Sequence, residues 1–272
     1  MKKKIRLFWV LAILITLSAA VFQRMTGPTN PKKICFTLNG NDYRSKMPRS
    51  ITNTGDLCNF KFTIKDLHDE VVAHLFIHKY RSNENWAQLP IARLGDQFSV
   101  QLPAAPAAAK MEYYVLFETN AGAVQSEKIV MRYKDNVPAY LLIPHILLMF
   151  TAMLLSNLAG LLAFFRREHY MRYAKIALVC LLLGGLVLGA FVQKAAFGQY
   201  WTGFPLGNDI TDNKTLLVFL VWLIALMANR KAGKRPVLVG LAAIFMLIVF
   251  CIPHSLGGSE YNYQTGEVIT GN

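Results

Sequence analysis

The chain contains 272 residues, is 54 % hydrophobic and carries a formal net charge of +13. This length accommodates one soluble domain and a small helical bundle. Many of the basic residues cluster in short gaps beside long apolar runs, so the charge indicates membrane topology. It gives no reason to expect nucleic acid as a partner.

The first apolar run, Leu7–Phe22, follows a strongly basic N-terminus. We interpret residues 1–22 as a signal anchor that stays in the membrane, because the sequence after the run lacks the polar break usual at a cleavage site. The alternative is a signal peptide that is cleaved near the small residues Ser18 and Ala20.

Residues 28–136 show short alternating patterns separated by turn-rich stretches, which predict strands. The predicted strands are Lys61–Lys65, Val71–Tyr80, Gln97–Leu102, Met111–Thr119 and Glu127–Tyr133. Strands of this length and spacing, without helical periodicity, are typical of an antiparallel β-sandwich. We therefore predict an external domain of immunoglobulin-like or fibronectin-III-like class.

Two cysteines, Cys35 and Cys58, lie in this domain, which the topology places on the oxidising side of the membrane. A disulfide between them would stabilise the domain by roughly 3 kcal/mol. The alternative is a pair of free thiols. Cys180 and Cys251 are predicted at opposite membrane depths and cannot pair.

Four further apolar runs fill residues 139–254, and we predict a four-span bundle there, with five spans in total. The runs are Ala139–Phe165, Ile176–Ala196, Leu216–Ala228 and Val237–Pro253. No Asp, Glu, Lys or Arg lies near the middle of any run, so no ion pathway is predicted.

Lys and Arg cluster at the N-terminus, between the second and third runs, and between the fourth and fifth runs. Placing all three clusters in the cytoplasm gives one consistent topology. The N-terminus is then cytoplasmic, whereas residues 23–138, the loop 197–214 and the tail 255–272 are external. We expect a multi-pass protein of a bacterial inner membrane, with its main soluble domain and C-terminus periplasmic or extracellular.

The tripeptide Ile-Pro-His occurs twice, ending at His145 and at His254, and both copies are predicted at the external end of a span. Paired histidines from different spans can ligate a b-type haem axially. Met149, one helical turn below His145, and Trp201 in the loop 197–214 would then line the cofactor. Small residues further along the same stripe, Ala152 and Ser156, would leave room for it.

A divalent metal is a second interpretation, because carboxylates are predicted at the same membrane surface. Its ligands would be drawn from His145, His254, Asp209, Asp212 and Glu260. A third interpretation is structural: Thr211 and Asp212 precede a span and can cap its exposed N–H groups, and Trp201 can belong to an interfacial aromatic belt.

Several segments resemble a group of bacterial polytopic membrane proteins to which no function is assigned. They are Thr26–Thr29, Leu142–Met149, the loop 197–214 with its WTGxPxGxDxTDNK pattern, and Ile252–Glu260. The resemblance implies a layout of signal anchor, external domain and four-span bundle.

Because no catalytic residue stands out, we expect a subunit or assembly factor of an envelope membrane complex. The external domain would dock onto other membrane or periplasmic proteins. The alternative is a redox protein that binds haem or metal through His145 and His254.

Overall fold

The computed structural model describes residues 2–67, 70–120, 122–230, 235–253 and 257–269. The protein is an α+β protein with several long apolar helices and a large β-sheet domain, which confirms the predicted class at this level. The described residues divide into two compact units. The helical unit contains the residues up to Gly27 and Val137–Ser259, and the β-sheet unit contains Pro28–Asn136 and Glu260–Ile269.

The helical unit is built from helices that are apolar over most of their length. They are α1 (Lys2–Thr26), α2 (Ala139–Phe164), α3 (Tyr170–Leu181), a π-helical segment (Leu182–Leu188), α4 (Gly189–Phe197), α5 (Ile210–Ala228) and α6 (Pro236–Cys251). Within the described part of the chain, four stretches are long and apolar enough to cross a membrane, namely Ile5–Thr26, Ala139–Phe164, Tyr170–Phe197 and Ile210–Ala228. With 16 residues, α6 is shorter, so the predicted total of five spans stays a prediction.

Helix α2 contacts α1, α3 and α6 and forms the centre of this unit. Helix α1 buries one face, on which Phe8, Ala12, Thr16 and Ala19 recur at the three- and four-residue spacing of a helix. The Asn157 side chain of α2 donates a hydrogen bond to the buried Thr16 hydroxyl at 3.0 Å. Helix α1 therefore belongs to the helical unit by its contacts.

The β-sheet unit contains twelve strands among the residues that the structure describes. They are β1 (Lys32–Leu38), β2 (Asn41–Met47), β3 (Ser50–Asn53), β4 (Leu57–Thr63), β5 (Val72–Lys79), β6 (Ala87–Leu94), β7 (Gln97–Pro103), β8 (Lys110–Thr119), β9 (Gly122–Gln125), β10 (Ile129–Asp135), β11 (Glu260–Asn262) and β12 (Glu267–Ile269).

The main sheet follows the order β3-β10-β8-β5-β6-β7-β4, with β9 also paired to β8. Strand β6 pairs with β5 up to Ile91 and with β7 from Ala92 onwards, so the two halves of the sheet are joined through one strand. The sheet is consequently close to a barrel. Strand β3 runs parallel to β10, which departs from the predicted all-antiparallel arrangement, and the immunoglobulin-like class stays a prediction.

Aromatic side chains fill the core of the β-sheet unit. Phe60, Phe98 and Phe117 are almost completely buried, and Tyr113 is buried beside Phe60 with ring centroids 5.0 Å apart. The Tyr113 hydroxyl donates to the Pro48 carbonyl oxygen at 2.6 Å, as a buried phenol requires. Burial raises the pKa of Tyr113 well above its ordinary value.

The predicted Cys35–Cys58 disulfide is not found, since both residues are free thiols. Cys58 faces the core from β4 and its thiol donates to Asn53 Oδ1 at 3.3 Å. Cys35 is on the exposed face of β1. Alternation along the strands directs one side chain inward and the other outward, which explains why this prediction was wrong.

The C-terminal hairpin, β11–β12, is part of the β-sheet unit. Glu260 forms an ion pair with Lys110, and the Tyr263 hydroxyl donates to the Lys110 carbonyl oxygen at 3.2 Å. The predicted tail 255–272 is therefore divided: Ser259 lies in the helical unit, whereas Glu260–Ile269 lies with the strands.

Candidate functional site

The segment between α4 and α5 folds back on itself. Helix α4 ends at Phe197 and is followed by Gly198 in the left-handed region, at a φ of 85°. Eleven residues later, the Asp209 N–H donates to the Thr202 carbonyl oxygen at 3.0 Å. We call residues 202–209 the clamped loop, because Asp212 and Asn213 of α5 accept hydrogen bonds from Thr202 and Phe204.

Asp212 is the centre of this arrangement and is only 6 % exposed. Its Oδ2 accepts from the Thr202 N–H at 2.6 Å, from the Thr202 hydroxyl at 3.1 Å and from Gln193 Nε2 at 3.0 Å. A buried carboxylate is costly unless several donors surround it. Here Gln193 of α4 and Thr202 of the clamped loop supply the donors, and Asp212 of α5 is the acceptor.

Asn213 and Gly203 bring the clamped loop into close contact with α5. The Phe204 N–H donates to Asn213 Oδ1 at 2.6 Å. A Cβ atom at Gly203 would lie 2.6 Å from the Asp212 Cβ and 2.7 Å from Asn213 Oδ1. Only glycine fits this approach, so the Thr-Gly step of the sequence pattern has a steric cause.

Asp209 caps α5 and also holds the chain that follows α6. Its Oδ1 accepts from the Thr211 N–H at 2.7 Å, the usual contact of an N-cap residue. Its Oδ2 accepts from the Ser259 N–H at 3.0 Å and the Ser259 hydroxyl at 3.1 Å. Ser259 also donates to the Thr202 hydroxyl at 3.3 Å, which connects it to the clamped loop.

Lys214, in the first turns of α5, contacts the end of α6. Its side chain is buried and Nζ donates to the Ile252 carbonyl oxygen at 2.7 Å. Ile252 is the C-cap residue of α6, where carbonyl groups lack helical partners and a lysine can satisfy them. The lysine therefore joins the start of α5 to the end of α6.

The tip of the clamped loop is apolar and exposed. Phe204 is 69 % and Leu206 is 77 % exposed, on either side of Pro205. Trp201 supports the tip, since its Nε1 donates to the Phe204 carbonyl oxygen at 3.0 Å. A rigid polar base thus presents two large hydrophobic side chains.

His145 is held by the π-helical segment Leu182–Leu188. Its Nδ1–H donates to the Gly184 carbonyl oxygen at 2.8 Å, in the π-helical segment where Gly184 also accepts from the Gly189 N–H. Such segments often occur at functional sites. A carbonyl partner on Nδ1 leaves Nε2 oriented as in many metal-binding histidines.

The space below His145 is occupied by protein. A Cβ atom at Gly184 would lie 2.8 Å from the Leu148 Cβ and 3.3 Å from Met149 Sδ. Ala152 and Ser156, further along the same stripe, are buried. The small residues therefore permit close helix packing along this stripe. The proposed partner His254 lies outside the described residues.

The predicted metal ligands do not come together among the residues that the structure describes. No three His, Cys, Asp or Glu side chains of these residues form a group that could hold a metal ion. Asp209 and Asp212 bind the clamped loop, and Glu260 pairs with Lys110 in the β-sheet unit.

Sequence reasoning missed two participants. Gln193 closes an apolar run and gave no signal of its own, because its partner Asp212 is 19 residues away. Ser259 is 50 residues from Asp209, and only a shared pattern between distant segments, such as Gly-Gly-Ser-Glu following the second Ile-Pro-His, points to it.

No protein-family model and no curated protein matches the chain. Three chains of solved structures match. One of them, described as the crystal structure of a Br derivative of BhCBM56, is 13 % identical with a TM-score of 0.27, and the alignment covers 36 % of this chain and 97 % of the solved one.

Proposed function

We propose that the protein is a non-enzymatic subunit or assembly factor of an envelope membrane complex, seated in a bacterial inner membrane. The observation that supports this proposal most is the clamped loop. Asp209, Asp212 and Asn213 all serve to fix its shape, and the shape exposes Phe204 and Leu206. Ordered loops with exposed apolar tips suit recognition of a partner.

The β-sheet unit offers a second docking surface on the outer face of β5 and β8. Phe76 and Tyr114 stack with ring centroids 4.8 Å apart, and Trp86 lies 4.9 Å from Tyr114 and 3.8 Å from His78. His78 is also 3.0 Å from Glu112. Tryptophan and tyrosine dominate binding energy in protein interfaces, which supports a docking role for this unit.

The native complex provides the test. The protein extracted from its own membranes in a mild detergent should migrate in a particle much larger than its monomer, with partner proteins in fixed stoichiometry. Asp212→Ala should release the partners, whereas Gly240→Ala, a control in α6 where a Cβ meets nothing within 4 Å, should retain them. A strictly monomeric wild-type protein would refute the proposal.

Haem or metal binding is the alternative function, and the oriented His145 ring is the observation in its favour. Bound haem b would supply one-electron chemistry, and His145 would be its ligand through Nε2. An absorption spectrum of the purified protein decides between the two functions. A Soret band that disappears in His145→Ala would establish the alternative, and the absence of both the band and metal by elemental analysis would exclude it.

A further inference from the structure

The β1–β2 hairpin presents basic side chains on its exposed face. In its register, Lys33 is opposite Lys46 and Cys35 is opposite Arg44. Alternation turns these four residues outward, whereas their neighbours Ile34, Leu38, Tyr43, Ser45 and Met47 are buried. Two lysines directly opposite each other repel, so this pairing lowers the stability of the hairpin.

The same exposed face continues onto β4. Ser45 of β2 forms an antiparallel bridge with Ile64, the residue after β4, which places Lys65 beside Arg44. Lys61 lies on the outward side of β4, the same side as the exposed Thr63 two residues later. We call Lys33, Arg44, Lys46, Lys61 and Lys65 the basic face, and all five are exposed.

Acidic neighbours do not neutralise the basic face. Among the described residues, none of its five side chains forms an ion pair. Asp42 shares the outward side of β2 with Arg44, but its carboxylate accepts from the Thr37 hydroxyl at 2.6 Å. Glu127 pairs with Lys32 outside the face. Asp66 is the one acidic residue directly adjacent to the face in sequence.

Only a short connection joins the basic face to α1. Helix α1, which is long and apolar enough to cross a membrane, ends at Thr26, and β1 begins at Lys32. The five residues between them span at most about 20 Å. Lys33 is the second residue of β1, so the open end of the hairpin remains within reach of the bilayer surface.

We propose that the basic face binds anionic lipid headgroups of the bilayer that contains α1. Lysine and arginine side chains attract negatively charged lipid surfaces, and each one near the surface strengthens binding about fivefold. The cations tolerate mutual repulsion in the hairpin because the lipid phosphates neutralise it. Binding would tie the β-sheet unit to the membrane surface, a role separate from the proposed docking onto proteins.

Cys35 is a native reporter at the middle of this face. It is exposed, whereas Cys58 and Cys180 are buried and Cys251 is half-buried at the end of α6. The full-length protein is reconstituted into nanodiscs of phosphatidylcholine alone or with phosphatidylglycerol, and an uncharged bulky maleimide is added. The measured quantity is the ratio of Cys35 labelling rates in the two lipid compositions.

We expect labelling to be several-fold slower in the anionic discs, and the difference to vanish at about 1 M salt, where the screening length is about 3 Å. Lys46→Gln/Lys61→Gln should bring the ratio back towards one. Lys128→Gln/Lys134→Gln, which removes the same charge elsewhere in the β-sheet unit, should leave it unchanged. A Cys35→Ser/Asn85→Cys variant, with its thiol in an exposed loop, is the control for a general effect of the anionic lipid on the labelling reaction. It should be labelled equally in both discs.

Equal labelling of Cys35 in both lipid compositions would overturn the proposal. Slow labelling in native membranes together with fast labelling in anionic discs would overturn it as well, and would assign the basic face to an acidic protein partner instead. Neither result depends on whether the clamped loop recruits a complex, so this inference and the proposed function fail separately.

Discussion

Asp212 binds the clamped loop through a single oxygen atom, Oδ2, which accepts two hydrogen bonds from Thr202. Asp212→Ala leaves the buried Thr202 N–H and hydroxyl without that acceptor, and such a loss costs about 1–3 kcal/mol. Asp212→Asn retains an oxygen and should cost less. Thermal unfolding of the detergent-purified variants measures the difference. Equal stabilities for the alanine variant and the wild type would contradict the role assigned to Oδ2.

Gly203 tests the close approach of the clamped loop to α5. A methyl group at this position would overlap the Asp212 Cβ at 2.6 Å, so Gly203→Ala should destabilise the helical unit by about 1–3 kcal/mol. Gly240→Ala is the matched control, because nothing lies within 4 Å of its added Cβ. Unfolding midpoints of the two variants should therefore differ, and identical midpoints would show that the loop moves freely.

Tyr263 makes the β-sheet unit sensitive to alkaline pH. Burial, followed by the nearby charges of Glu84, Tyr261 and Glu260, raises the pKa of Tyr263 to about 12 from an ordinary value of 10. A pKa raised on folding means that the folded state holds the proton more tightly. The stability contributed by this proton is thus complete below about pH 10 and is lost as the pH rises towards about 12.

Tyr263→Phe should accordingly lessen the loss of stability between pH 10 and pH 12, although it loses the hydrogen bond to the Lys110 carbonyl oxygen. Denaturant unfolding at several pH values, monitored by the near-ultraviolet signal, measures how the free energy of unfolding depends on pH. A variant whose stability falls with pH as steeply as that of the wild type would contradict the assignment. Tyr113 and Tyr133, whose pKa values burial also raises, provide the remaining pH dependence.

At the level of single residues, sequence reasoning succeeds where partners are near in the chain. The capping role expected of Thr211 or Asp212 was wrong, because α5 already begins at Ile210 and its N-cap residue is Asp209. Asp212 instead accepts from the Thr202 N–H. The contacts of Lys214 with Ile252 and of Asp209 with Ser259 join distant segments. No local pattern predicts such pairs.

At the level of elements, alternation predicted five strands that overlap β4, β5, β7, β8 and β10. It missed β6, in which Pro90 argues against a strand, and it missed β2, whose sequence Asn-Asp-Tyr-Arg-Ser-Lys-Met is largely polar. Strands β3 and β9 have four residues each. These are too short for a periodic pattern to be recognised.

The helical stretch Tyr170–Phe197 begins earlier than its apolar run predicted, at Tyr170 rather than Ile176. It also contains the π-helical segment Leu182–Leu188. Hydropathy reports only the average polarity of a stretch, so neither feature was predictable from it. Gly184 of this segment packs closely on α2, where an added Cβ would lie 2.8 Å from the Leu148 Cβ.

The buried face of α1 predicts that this helix stays attached to the protein. Removing it would expose Asn157, whose side chain donates to Thr16 at 3.0 Å inside the helical unit. Intact-mass measurement of protein purified from its native membrane should therefore include residues up to Thr26. A mature N-terminus after Ala20 would contradict this and would identify the first run as a cleaved signal peptide.

At the level of the whole molecule, hydropathy and charge predicted a membrane-associated helical part and a strand-rich part, and the α+β class is confirmed. The division of the C-terminal tail was not predicted. Ser259 binds Asp209, whereas the next residue, Glu260, pairs with Lys110. Such a division depends on tertiary contacts of two separate units, which a short polar tail does not encode in its own composition.

The proposed function requires that the clamped loop presents Phe204 and Leu206 to a partner protein. Photo-crosslinking in native membranes tests it most directly, with p-benzoylphenylalanine incorporated in place of Phe204. Tyr140, an equally exposed aromatic residue at the start of α2, is the control position. We expect one protein adduct of defined mass from position 204, which is lost in Asp212→Ala, and only lipid adducts from position 140. Lipid adducts alone from position 204 would contradict it.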